Sequence, residues 1–203
     1  MRAFTLVEVI TTVAIFSVIM IAVSAFEYNV LDYNRSGSTS LTNLEEIQSL
    51  LKTMTRELRS MEPGDDGAYP IIAAATSSVT FFANVDGDTS KEKVRYYIGT
   101  TTTTRTTVFR GVIDPSGVPA TYNPSSERIK TLVTGVRNAT NTPMFTYYDG
   151  MYAGTSSPMT YPLTLTSIRM VGVTMTVDTD PLRSPVTKTF TSQASLRNLK
   201  DNL

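Results

Sequence analysis

The sequence predicts an α+β protein: one long N-terminal helix, with a membrane-length apolar half and an amphipathic half, packed on an antiparallel β-sheet head. Three observations predict it. Val9 to Phe26 is an uncharged run of eighteen residues. Leu44, Ile47, Leu51, Met54, Leu58 and Met61 then recur at alternating intervals of three and four. From residue 70 onward Thr, Val, Ser and Tyr dominate, in short runs that suit half-buried strands.

As a helix rising about 1.5 Å per residue, the first run spans roughly 27 Å, close to the hydrocarbon thickness of a bilayer. Thr11, Thr12, Ser17 and Ser24 make it more polar than a typical lipid-facing span. Their hydroxyls suit bonds back to backbone carbonyls or packing against neighbouring helices. Three ordinary readings compete. A buried core helix is disfavoured by the length of the run and its place at the N-terminus. A secretory signal would use Arg2 as its basic region and Val23-Ser24-Ala25 as its small-residue cleavage site. A plain membrane anchor is the third. Glu8 fits none of them simply, because a carboxylate at the membrane edge is costly and points to a function with a partner.

The second half reads as one buried stripe, with Glu45, Glu46, Lys52, Arg56, Glu57 and Arg59 on the solvated side. Packing against the protein's own sheet is preferred, since a coiled coil needs more heptads than these. Gly37, among Ser36, Ser38, Thr39 and Ser40, is the expected soft spot or kink between the halves. Pro63-Gly64, followed by Asp65-Asp66-Gly67, is a strong stop.

Strands are expected over residues 77–84 and 93–98, joined through Asp86-Gly87 as a hairpin, and again over 107–112. The run Thr100 to Thr104 reads as a turn leading into that third strand, and a Pro- and Ser-rich loop follows around 114–126. Further strands are expected at 143–148, at 168–177 with Val171, Val173, Met175 and Val177 on one face, and from about Val186 to Ala194. Asn84, Asp86, Asp88 and Glu92 have the oxygen spacing of a calcium loop. However, Thr89 stands where such a loop needs Gly, and Arg95 where it needs a bidentate Glu. A turn is the preferred reading, which leaves Asp86 and Asp88 as weak metal candidates only.

The chain has no Cys and no His, which excludes disulfides and thiolate chemistry and removes the commonest general base and metal ligand. Eighteen basic residues balance eighteen acidic ones, so no global field favours a nucleic-acid partner and none is expected. Gly-x-Ser-x-Gly, P-loop and dinucleotide motifs are missing, and no spacing pairs two carboxylates for acid–base work. Neither a catalytic residue nor a cofactor is expected. Tyr147, Tyr148, Tyr152 and Tyr161 lie near loops, with half-buried strand positions preferred to a sticky surface.

Ala3-Phe4-Thr5-Leu6-Val7-Glu8-Val9, followed by the apolar helix, resembles the class III signal of type IV pilins and type II secretion pseudopilins. The resemblance implies that a prepilin peptidase cuts between Ala3 and Phe4 and that the new Phe4 amine is methylated. It also implies that Glu8, then the fifth mature residue, pairs with the amine of an adjacent subunit. Ala3 stands where the family usually carries Gly, and the leader is short, with Arg2 as its single positive charge. The implied division is a leader at 1–3, a transmembrane and filament-core helix at 4–26, an amphipathic helix at 27–62 and a β-rich head at 63–203.

Asp86-Gly87-Asp88, Val94-Arg95-Tyr96-Tyr97, Arg110-Gly111-Val112, Met144 to Asp149 and the ending Phe190 to Leu199 resemble, in that order, PilW-like minor pilins and J-type minor pseudopilins. The expectation is a scarce subunit near the filament tip that helps start assembly. Its partners would be other pilin or pseudopilin subunits, the prepilin peptidase and the inner-membrane assembly platform. It would begin as a single-pass protein of the cytoplasmic membrane with its head outside, Arg2 lying on the inner side, and end in a periplasmic or surface filament. The alternative is a secreted or membrane-anchored β-rich adhesin or binding domain with an ordinary signal sequence and a mature start near residue 25.

Overall fold

The computed structural model describes residues 5–102, 105–138, 142–178 and 187–199, with the side chains of 29, 31–43, 100–102 and 105 left aside. Ala3 and Phe4 lie outside the described residues. The chain divides into two units, Met1–Asn43 and Leu44–Leu203. A single helix, α1, runs from Leu6 to Arg59, and helical backbone continues through Gly37.

In the second unit the final part of α1 is followed by eight strands. They are β1 Ile71–Ala74, β2 Ser78–Ala83, β3 Glu92–Thr102, β4 Arg105–Ile113, β5 Arg128–Val136, β6 Phe145–Tyr148, β7 Met170–Asp178 and β8 Thr187–Ser195. They form one antiparallel sheet in the order β1-β2-β3-β4-β5-β7-β6, with β8 on β7. Strand β7 is the hub. One of its sides pairs with β8 along the whole strand, while the other meets β6 at Met170–Val173 and β5 at Val177. The α+β class follows as predicted, and so does the β2–β3 hairpin, with Gly87 at φ +85° in its turn.

Alternation places Val79, Phe81, Val94, Tyr96, Val108, Val171, Val173, Met175 and Val177 inside the core. Against them α1 lays Ile47, Leu50, Leu51, Met54 and Leu58, none more than 8% exposed. Burying each such side chain contributes about 1.5–3 kcal/mol, which is what fixes this stretch of helix on the sheet. Leu44, at the start of the stripe, is half-buried. Met61 is buried too, but it lies beyond the helix. The Ser60 N–H is shared between the Arg56 and Glu57 carbonyls, and Met61 then bridges to Ala83 in the sheet.

Two strands are new relative to the sequence expectation, β1 and β5. In β5 the pairing jumps from Val108↔Val133 to Phe109↔Thr131, and from Thr107↔Thr134 to Thr106↔Val136. Leu132 and Gly135 are therefore extra residues at two bulges, and the buried positions fall at Val133 and Val136, out of period two. Gly135, at φ +82°, takes a conformation that a side chain would oppose.

Candidate functional site

Three places carry the residues singled out by sequence: the start of α1, its buried end, and the β2–β3 turn. At the start, Leu6–Tyr28 forms a helical span of 23 residues with mean hydropathy 2.5, long and apolar enough to cross a membrane. A membrane anchor and a signal sequence share this length and composition. Every described side chain from Thr5 to Tyr28 is exposed, Leu6 at 78%, Phe16 at 63% and Phe26 at 69% among them. The apolar surface runs round the whole circumference of this span.

The hydroxyls inside this span do what their positions allow. Thr11 donates to the Val7 and Glu8 carbonyls, both at 3.0 Å. Thr12 donates to the Glu8 and Val9 carbonyls at 2.9 Å, and Ser17 to the Val13 carbonyl at 2.8 Å. These three hydroxyls are thus turned inward on their own helix, which lowers the cost of an apolar setting.

Glu8 sits in the first turn of α1. Its N–H donates to Thr5 Oγ1 at 3.3 Å and to the Thr5 carbonyl at 3.1 Å, so Thr5 is the N-cap and Glu8 the third helical residue. Thr5-Leu6-Val7-Glu8 therefore has the form of a capping box. That signal stands in the sequence; Thr5 gives the Glu8 N–H its acceptor, while the Glu8 carboxylate places a negative charge at the positive end of the helix dipole.

At the buried end, one expectation is corrected. Glu57, expected on the solvated side, is only 6% exposed and points into the head. It continues the spacing Leu50, Met54, Glu57, Met61, with intervals of four, three and four, so its position outweighed its charge. Two neighbours on the sheet satisfy it. Arg110 of β4 donates from Nε and Nη2 to the two carboxylate oxygens at 3.0 and 2.9 Å. Tyr96 of β3 donates its hydroxyl to Glu57 Oε2 at 2.6 Å. Tyr96 and Arg110 are directly opposed across the β3–β4 ladder, so the acid of the helix clamps both strands at once.

Burial, followed by the Glu57 carboxylate, pushes the Tyr96 phenol well above its ordinary value. Burial alone would lower Arg110, but the hydrogen bonds and charge of Glu57 win and its pKa is raised. The clamp is thereby held ionised at Arg110 and neutral at Tyr96. Among the described residues no buried side-chain nitrogen or oxygen lacks a partner, and this cluster works as a fastener between helix and sheet.

The end of the chain fastens the same helix from its flank. Thr55 and Ser192 share a hydrogen bond of 2.9 Å, Arg59 Nη2 donates to the Gln193 carbonyl at 3.3 Å, and Asn198 Nδ2 donates to the Met61 carbonyl at 2.9 Å. On the outer face of the sheet, Arg95 binds Glu127 through two bonds of 3.0 and 2.7 Å. Gly111 leaves room for this pair: a Cβ there would lie 1.8 Å from Glu127 Oε1, so the Glu127 side chain would have to shift.

In the β2–β3 turn, single oxygens of Asp86, Asp88 and Glu92 lie within 4.8 Å of one another, a grouping that could hold a cation. The same carboxylates already serve the turn. Asp86 accepts from the Asp88 N–H at 3.2 Å, Asp88 from the Ser90 N–H at 2.6 Å, and Glu92 from the Val85 N–H at 2.9 Å. The Ser90 hydroxyl and N–H hold the Asp88 carboxyl below its ordinary pKa. Of the four loop tyrosines, Tyr147 is buried, with its hydroxyl on the Ala75 and Ser78 carbonyls, and Tyr161 is exposed. No protein-family model, curated protein or solved structure matches this chain.

Proposed function

We propose that this chain is a non-enzymatic structural subunit of the type IV pilin and pseudopilin kind. It is held in the cytoplasmic membrane by Leu6–Tyr28, cleaved between Ala3 and Phe4 by a prepilin peptidase, and then drawn by an inner-membrane assembly platform into a filament with other subunits. The observation that carries this reading is the helical span exposed on every side, joined directly to the Ala3-to-Val9 motif. Such a surface needs an apolar surround, lipid first and neighbouring helices afterwards. The minor, tip-proximal role rests on the likeness of the head to PilW-like and J-type subunits.

Glu8 supplies the register. A carboxylate entering a water-poor helical bundle pairs with the Phe4 amine of a sister molecule, because leaving either charge alone costs several kcal/mol. The cap from Thr5 is a separate matter, and two variants test the side chain of Glu8. Glu8→Gln keeps the polar side chain and removes the charge; Glu8→Val removes both, and neither touches the bond from the residue-8 N–H to Thr5. Expressed in the native host, wild-type protein begins at a methylated Phe4 by N-terminal mass. Both variants are cleaved and membrane-bound, yet sheared filaments carry them at less than about a tenth of the wild-type level. A mature start near Phe26 would sink the reading in favour of conventional secretion. Normal incorporation of Glu8→Gln would show that the charge of Glu8 does not set the register.

A further inference from the structure

Strand β8 forms its ladder with β7, and among the described residues its other side pairs with no strand. Two bonds fix the direction of its main-chain groups. The Leu196 N–H donates to the Arg169 carbonyl, so the even-numbered residues turn their main-chain groups towards β7. The Gln193 carbonyl turns the other way, to Arg59. By alternation, the N–H and C=O groups of Thr187, Thr189 and Thr191 face outward.

Beside this edge, between β8 and the flank of α1, lies an open groove of about 660 Å³. Leu51 and Phe190 contribute apolar surface to it, and Lys52, Arg56 and Arg59 line its helix wall. Their intervals of four and three make one cationic stripe about 10 Å long. Among the described residues no carboxylate lines the groove. Lys91, Arg95, Arg110, Arg128 and Arg137 are each matched by an acid of the head. Lys52 and Arg56 are exposed and enter no ion pair among the described residues.

We propose that this groove takes an extended, carboxylate-bearing segment of a partner protein, added as a further strand on the free edge of β8. An added strand brings a side chain to the helix-facing side every second residue, about 6.7 Å apart. Two or three acids at alternate positions then match a stripe of cations spaced by about 5–6 Å. The outward amides and carbonyls of β8 supply the main-chain bonds such a strand needs. A nucleic-acid backbone fits less well, because its phosphates accept hydrogen bonds and cannot serve the outward carbonyls. The groove's role does not depend on filament assembly and would hold for a secreted binding protein equally.

The test uses the full chain in neutral detergent micelles and a fluorescein-labelled peptide of alternating Thr and Glu, nine residues long to match β8. Fluorescence anisotropy at low salt compares it with an alternating Thr–Lys peptide, with the Thr–Glu peptide N-methylated at every second residue, and with oligothymidine. The expected result is that the unmodified Thr–Glu peptide binds at least about tenfold more tightly than the other three. The double variant Lys52→Glu/Arg56→Glu, both sites being exposed, keeps the wild-type circular dichroism and reverses the preference to Thr–Lys. Failure of the Thr–Glu peptide to bind overturns the proposal. Equal binding of the N-methylated peptide overturns strand addition, and equal or tighter oligothymidine binding makes the groove a phosphate site.

Discussion

The two described ends of α1 are built from the same kinds of residue and treated in opposite ways. From Leu6 to Tyr28, Ile, Val, Leu, Met and Phe surround the axis and all are exposed. From Leu44 to Arg59 the apolar residues form one stripe, and Ile47, Leu50, Leu51, Met54 and Leu58 are buried under the chain's own sheet. An amphipathic stripe finds its cover within the molecule, whereas an apolar circumference has to find it elsewhere. The acids make the same point. Glu57 meets Arg110 and Tyr96 of its own head, while the Glu8 carboxylate enters no ion pair among the described residues.

The largest effect follows from breaking the internal clamp. Glu57→Ala leaves the Tyr96 hydroxyl in the core and a largely buried Arg110 without an acceptor. Arg110 keeps 20% of its side chain in solvent, which reduces the loss. Unfolding of the head in urea, followed by near-ultraviolet circular dichroism, should lose about 2–4 kcal/mol of stability. Replacing both charged partners together, Glu57→Met with Arg110→Met, should recover most of it, since no lone charge remains. A loss below about 0.5 kcal/mol for Glu57→Ala would mean that the clamp contributes nothing.

The next pair of variants sets the two ends of the helix against each other directly. Met54→Ala removes a side chain that is wholly buried, and should cost the head about 2–5 kcal/mol in the same assay. Phe16→Ala removes more carbon, but from a side chain 63% exposed. Its effect on unfolding of the head should stay within about 0.5 kcal/mol. Destabilisation by Phe16→Ala as large as that by Met54→Ala would refute the contrast drawn between the ends.

Much of this contrast is legible in the amino-acid sequence. Period and charge-free length mark both halves of α1, and alternation marks β2, β3 and β7, where Val79 and Phe81, Val94 and Tyr96, and Val171, Val173, Met175 and Val177 enter the core at every second position. What is hidden has a physical cause in each case. The bulges at Leu132 and Gly135 break the period of β5, so its apolar residues stop alternating. Glu57 looks solvated because acids usually are, and only its register with Leu50, Met54 and Met61 says otherwise. The cationic groove depends on which strand is left at the sheet edge, a matter of pairing across distant segments that no local pattern records.

The smallest effect probes the start of α1. Thr5→Ala deletes the hydroxyl that accepts the Glu8 N–H, without touching the charge of Glu8. Loss of an N-cap costs about 1 kcal/mol, and here the cost should stay local. Hydrogen exchange at the amides of Glu8 and Val9, the latter also bonded to the Thr5 carbonyl, should quicken by about fivefold. Unfolding of the head should not change. If exchange at these amides is unaltered, Thr5 is not the cap, and the setting of Glu8 has to be explained by its charge alone. If exchange quickens while Thr5→Ala still enters filaments and Glu8→Gln does not, the cap and the charge are separate functions of adjacent groups, and the charge is the one that needs a second molecule.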